Sequence, residues 1–239
     1  MLSYELRNLL RARWLYGYAA LFLAIASLTL VFSEGSDRTL LILAHASLLV
    51  IPLVSAVAAA NSIYARRPYD AFLLTQPVSR AAVFFASVVA LVLAFGASFF
   101  LPVAAVVLPA GLPLAATLQM LLANVALSTT CVLTGVVVAT WVEDRTRGLG
   151  ALLVTWLTAA VIYDGALLYV IVVLEEYPIE PLLTAAVFLN PIDAVRLLLY
   201  QDLGLRFLLP VALPPAAVWL SLTLWSFVLL ALGLQSFLR

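Results

Sequence analysis

The sequence predicts an all-α polytopic membrane protein with six transmembrane helices, and three observations predict it. About two thirds of the 239 residues are hydrophobic and a tenth are charged, where a soluble domain keeps about a quarter of its residues charged. Several apolar runs exceed the roughly 20 residues needed to cross a bilayer. The arginines gather in alternate connections between those runs, as the positive-inside rule requires. Residues 1–239 are therefore expected to form one membrane domain, without room for a hidden soluble one.

A helix over residues 4–13 opens the chain. Leu6, Leu9 and Leu10 share a face with Trp14 while Arg7, Asn8 and Arg11 take the opposite side, so the helix lies in the membrane interface, with an irregular basic tail as the alternative. The apolar run that follows is too long for a signal core and no small-x-small site with a soluble remainder comes after it, so no cleaved leader is expected. Trp14, Tyr16 and Tyr18 begin the aromatic girdle of a first span over 14–32. A polar turn leads to a second span over 40–64. A third runs over 81–108 with Pro102 kinking it, and an uncharged Pro-Ala-Gly-Leu-Pro turn leads to a fourth over 114–141. The charged loop 143–148 precedes a fifth over 149–174, and the sixth occupies 211–238.

Two connections carry more than a turn. Between the second and third spans, Pro68 suits the first turn of a helix, Pro77 forbids its continuation and Ser79 caps the next helix, so 68–76 reads as a separate helix of about two turns. Between the fifth and sixth spans, residues 175–210 hold Pro178, Pro181, Pro191 and Pro210 and two apolar pieces, each too short to span. Asn190-Pro191 separates those pieces. They predict a re-entrant hairpin, with a small amphipathic cap on the membrane surface as the other option.

Orientation follows from the arginines. With the N-terminus inside, Arg7, Arg11, Arg13, Arg66, Arg67, Arg80, Arg145, Arg147 and Arg239 face the cytoplasm and Arg38, Arg196 and Arg206 face out, nine against three. Both termini are then cytoplasmic, the 68–76 helix is cytoplasmic and the hairpin is external. No internal repeat is visible, which gives an inverted-repeat secondary transporter little support.

Residue usage excludes several activities. All twelve basic residues are arginine, so the chain has no lysine for a phosphate-binding Gly-x-x-x-x-Gly-Lys-Ser/Thr loop or for a Schiff base. Any ATP-driven work must come from another subunit. His45 is the one histidine, Cys131 the one cysteine, and Met1 and Met120 the methionines, too few soft ligands for a relay of metal sites. Cys131 reads as a small buried hydrophobe. No catalytic triad, zinc motif or nucleophile elbow is present, so a non-catalytic subunit without catalytic residues, metal or cofactor is expected, and no nucleic-acid partner.

With the layout complete, the chain resembles the ABC-2 type of ABC-transporter permease. Leu73-Leu74-Thr75-Gln76-Pro77-Val78-Ser79-Arg80 is similar to the Leu-Leu-Ala-Gln-Pro-Val-Ser-Arg run that closes the coupling helix in that family, and Asn190-Pro191-Ile192-Asp193-Ala194-Val195-Arg196-Leu197 to a segment before the last span. These, with the Leu-Arg-x-x-Leu-Arg-x-Arg-Trp start at Leu6, resemble most the permease of the nitrous-oxide reductase copper-site maturation system. The resemblance implies a homodimer in the inner membrane of a prokaryote, two copies of a separate cytoplasmic ATPase carrying ATP and magnesium, and a periplasmic accessory protein. It assigns Arg66, Arg67, Pro68, Tyr69, Asp70, Phe72, Leu73 and Gln76 to the ATPase contact. The chain departs from the family by placing Arg66-Arg67-Pro68-Tyr69 where acidic residues and a Gly-Thr pair are usual, which implies a correspondingly acidic groove on the partner.

Asp164 is the ionisable residue deepest in a span. Val161, Ala160, Leu167 and Leu168 flank it on its own helix face, so its partner must come from elsewhere; His45 lies at a compatible depth. The two are candidates for gating or transport, with a structural hydrogen bond as the alternative. A motor-independent transporter or assembly scaffold using Asp164 is the competing function. Glu175, Glu176, Glu180 and Asp193 form an acidic outer surface, either solvated or a contact for the external partner. The 143–147 cluster is either a solvated loop or a second motor contact, and Gln119, Asn124, Ser128, Thr129 and Thr130 read as helix-packing residues.

Overall fold

The computed structural model describes residues 2–33, 35–73, 78–174, 177, 179–202 and 213–238. These form ten α-helices and one π segment, with no strand among the described residues. Six helices are long and apolar enough to cross a membrane, and a further pair joined at a sharp bend would make a seventh if counted as one span.

α1 (Leu2–Leu10) precedes α2 (Arg13–Phe32), and the Tyr16 hydroxyl donates to the Leu10 carbonyl across the break between them. α4 (Arg80–Val107) begins at Ser79, whose hydroxyl accepts from the Ala82 amide, and continues through Pro102. α2 and α4 meet along an aromatic ladder: Trp14 stacks on Phe95, and Tyr18 and Phe22 meet Phe95 and Phe99 edge to face. α5 (Leu114–Trp141) is the centre of the bundle, packed against α3 (Ser36–Leu73), α4 and α10 (Pro215–Leu238). Its contact with α3 is backbone to backbone at Gly135, where a methyl group would overlap the Ala56 carbonyl. Close approach through a small residue is the usual means of joining helices in lipid.

Two expectations about the spans need correction. The second span does not stop at residue 64 to make way for a separate helix over 68–76. α3 runs unbroken for 38 residues, about 57 Å, through Pro68 to Leu73, and residues 74–77 lie outside the described ones. Pro68 removes one helical hydrogen bond, but the turn before it is anchored on both sides: Arg66 forks onto Glu5 of α1, and Arg67 reaches the end of α5.

The fifth span is also not one regular helix. Asp144 accepts from the Arg147 amide and starts α6 (Arg145–Leu157) within the expected loop. A π segment (Thr158–Ile162) then leads into α7 (Tyr163–Val173). Gly148 and Leu152 are the buried residues of this stretch, so it lies at the periphery.

Between α7 and α10 stand α8 (Glu180–Leu189) and α9 (Pro191–Asp202), bent by 117° at Asn190. Ile192, Ala194, Val195, Leu197, Leu198 and Leu199 of α9 are buried against α3, α5 and α10. The apolar residues of α9 are thus inside the bundle, together with Asp193.

Candidate functional site

The elbow between α8 and α9 exposes a helix C-terminus and a helix N-terminus inside the protein, and in a low-dielectric interior every such backbone group needs a partner. The structure supplies partners from α7, α10 and the elbow itself. At the end of α8, the Tyr163 hydroxyl donates to the Ala186 carbonyl at 2.8 Å and the Trp225 indole to the Phe188 carbonyl at 2.9 Å. At the start of α9, the Asn190 side-chain oxygen accepts from the Ile192 amide at 3.1 Å, with Pro191 in the first turn where its missing N–H costs nothing. Trp225 lies ten residues, about 15 Å, along α10 from Pro215. The elbow is therefore near the middle of the bundle, not at its end.

The Asn190 amide reaches outward as well, to the Ala159 carbonyl at 2.8 Å and the Asp193 carboxylate at 2.9 Å. Ala159 belongs to the π segment. Widening the helix there shifts its hydrogen-bond register and accompanies a carbonyl accepting from a neighbouring element. One turn further on, Arg196 donates through both terminal nitrogens to Asp164 of α7, each at 2.7 Å, and through one of them to Asp193, also at 2.7 Å. The peripheral span is thus latched to the buried hairpin by Asn190, Tyr163 and Arg196.

Against the expectations, Asp164 does find a partner on another helix, but it is Arg196 and not His45. His45 donates from Nδ1 to the Leu41 carbonyl and receives the Tyr200 hydroxyl at Nε2, 2.9 Å away, which ties α3 to α9. Asp193, expected on an acidic outer surface, is 1% exposed: its position in the first turn of α9 and its bonds to Asn190 and Arg196 draw it inside. Glu180 opens α8, while Glu175 and Glu176 lie outside the described residues. Tyr163 and Tyr200 were not singled out by sequence, and Asn190 and Arg196 appeared there in the motif before the last span, without a role in the site. The Asn-Pro-x-Asp pattern, with an N-cap, a proline in the first turn and an acid three residues after the cap, is the signal that marks the elbow.

The basic pair at the other end is engaged internally. Arg66 makes a two-pronged contact with Glu5, which is 8% exposed. Arg67 donates to the Ala139, Val142 and Glu143 carbonyls and stacks on the Tyr64 ring, whose hydroxyl also donates to Val142. Together they cap the C-terminus of α5. The acidic partner groove inferred from these two charges therefore loses its basis, since both guanidinium groups already have partners. Tyr69 stacks on Tyr4 with ring centroids 5.8 Å apart and remains partly exposed. Pro68, Asp70, Phe72 and Leu73 lie in the last turns of α3, and Gln76 lies outside the described residues.

No protein-family model and no curated protein matches the chain.

Proposed function

We propose that the chain is the membrane-spanning permease subunit of an ABC-2 type transporter, working as a homodimer with a separate cytoplasmic ATPase. The observation that carries this reading is α3. One unbroken helix joins the end bearing Tyr69 and Leu73 to the opposite side of the bundle, where His45 meets Tyr200 of the hairpin. A push received at the basic end, assigned to the cytoplasm by the positive-inside rule, has a continuous path to the elbow. The depth of the elbow and the burial of α9 favour a re-entrant hairpin over a surface cap.

The latch gives Asp164 a role in this scheme. ATP-driven closure of the motors displaces the inner end of α3, the hairpin follows through His45–Tyr200, and the Asp164–Arg196 pair carries the peripheral span with it. Resemblance supplies the setting, copper-site maturation of a periplasmic nitrous-oxide reductase. The scarcity of methionine, histidine and cysteine argues that this subunit transmits conformational work to an external partner without passing metal along its side chains. A Tyr69→Cys variant carrying a thiol-directed crosslinker should capture the ATPase in native membranes. Absence of capture in every nucleotide state contradicts the coupling role.

A further inference from the structure

Two interruptions of regular helix and one helix-interior proline converge on one cavity. Pro52 in the middle of α3, Ala159 in the π segment and Asn190 at the elbow all line a space of about 470 Å³ over the inner half of α5, within the range of small-molecule sites. Its level is set by two residues of its wall, Trp156, eleven residues into the apolar stretch Arg145–Val173, and Trp225, ten residues into α10. Val154 and Leu189, at its rim, are exposed. The mouth therefore opens sideways near the middle of the span, where the surrounding medium is hydrocarbon.

The chemistry of the wall selects the occupant. No lining residue is charged. Thr134, Thr155, Trp156, Tyr163, Asn190 and Trp225 each donate to a backbone carbonyl, so these polar groups are already committed to the protein. What remains toward the cavity is overwhelmingly apolar surface. An ion or a polar solute would lose its hydration there without replacement, and an apolar space of this kind holds no stable water. A flexible hydrocarbon chain loses nothing and covers the wall.

We infer that this cavity is a binding site for a single hydrocarbon chain admitted laterally from the bilayer, carried either by a phospholipid or by a free long-chain amphiphile. The site is independent of the motor reading. Its occupant touches the π segment and the elbow at the points where Asn190 joins them, so filling and emptying it is linked to the position of the hairpin.

The test is photolabelling of the full chain in phosphatidylcholine vesicles containing a trace of phosphatidylcholine with a diazirine midway along one acyl chain. A second set carries a free diazirine-bearing long-chain alcohol. Adducts mapped by mass spectrometry should be several-fold denser on the peptides holding Trp156 and Leu229 than on those holding Leu101 and Leu220, which are exposed elsewhere. Thr134→Trp, or Leu229→Trp elsewhere in the wall if the first variant does not fold, should bring them down to the level of those controls. Enrichment with one probe only identifies the source of the chain. Labelling no denser than at Leu101 and Leu220, or unchanged when the cavity is filled, overturns the inference. So does quantitative disulfide dimerisation of a Val154→Cys variant, which would make the mouth an interface between copies.

Discussion

Arg196 holds carboxylates from two different helices, and its worth depends on how far each is removed from water. The Asp193 side chain is 2% exposed and that of Asp164 is 31% exposed. Removing the cation leaves Asp193 a buried charge without compensation, so Arg196→Leu should destabilise the fold by about 3–5 kcal/mol. Asp164→Asn keeps an oxygen for Arg196 to donate to and leaves Asp193 to balance the cation, so it should cost less, about 1.5–3 kcal/mol. Denaturation of the purified variants in detergent gives the ranking, and equal losses would show that the exposed pair, not the buried acid, carries the energy. The sequence made Asp164's need for a partner legible, because its own helix offers only aliphatic neighbours. The partner's identity was hidden by depth. Arg196 follows a short apolar piece that counts as external in an arginine tally, and nothing in composition says that α9 passes through the core. His45 was the nearest ionisable residue by span arithmetic, yet its Nε2 belongs to Tyr200.

Among the elements, the spans themselves were readable because a run of apolar residues in lipid has one solution, a helix with its backbone satisfied internally. The fourth span matches α5 at both ends. Interruptions were harder. Pro68 reads locally as a first-turn proline, but contacts far away in sequence, Glu5 and the end of α5, keep α3 helical across it. If α3 is continuous in the membrane, Pro68→Ala restores a helix-interior residue and should raise stability by up to about 3 kcal/mol. A measured loss in thermal unfolding would instead favour a separate helix starting at residue 68. The π segment has no compositional signature at all, since its residues Thr-Ala-Ala-Val-Ile suit an ordinary span. The α3–α5 contact offers a second measurement at this scale. Gly135→Ala forces a methyl group into the Ala56 carbonyl and should cost about 1–3 kcal/mol through backbone displacement. Gly150→Ala, where a methyl group meets nothing within 4 Å, should be neutral or stabilising by up to about 1 kcal/mol in the same assay.

At the scale of the whole molecule, one polar cluster stands at the basic end of an apolar bundle and a second lies deeper, on the side of the elbow away from it. At one, Glu5, Arg66, Arg67 and the end of α5 fix α1, α3 and α5 together; at the other, His45, Tyr200, Arg196 and Asp164 fix α3, α9 and α7. α3 belongs to both. A bundle with this arrangement transmits a displacement along one helix more readily than it conducts a charged solute, because the cavity of about 470 Å³ beside α3 carries no charge. That is the physical case for the proposed permease, and with no lysine for a phosphate-binding loop of the Gly-x-x-x-x-Gly-Lys-Ser/Thr kind the proposal assigns the motor to another subunit. The most direct measurement is extraction from native membranes in mild detergent, followed by identification of what co-purifies. The account predicts a nucleotide-binding subunit in equal amounts with this chain, together with a second copy of the chain itself. A chain that emerges alone, with no ATPase under any nucleotide condition, contradicts it.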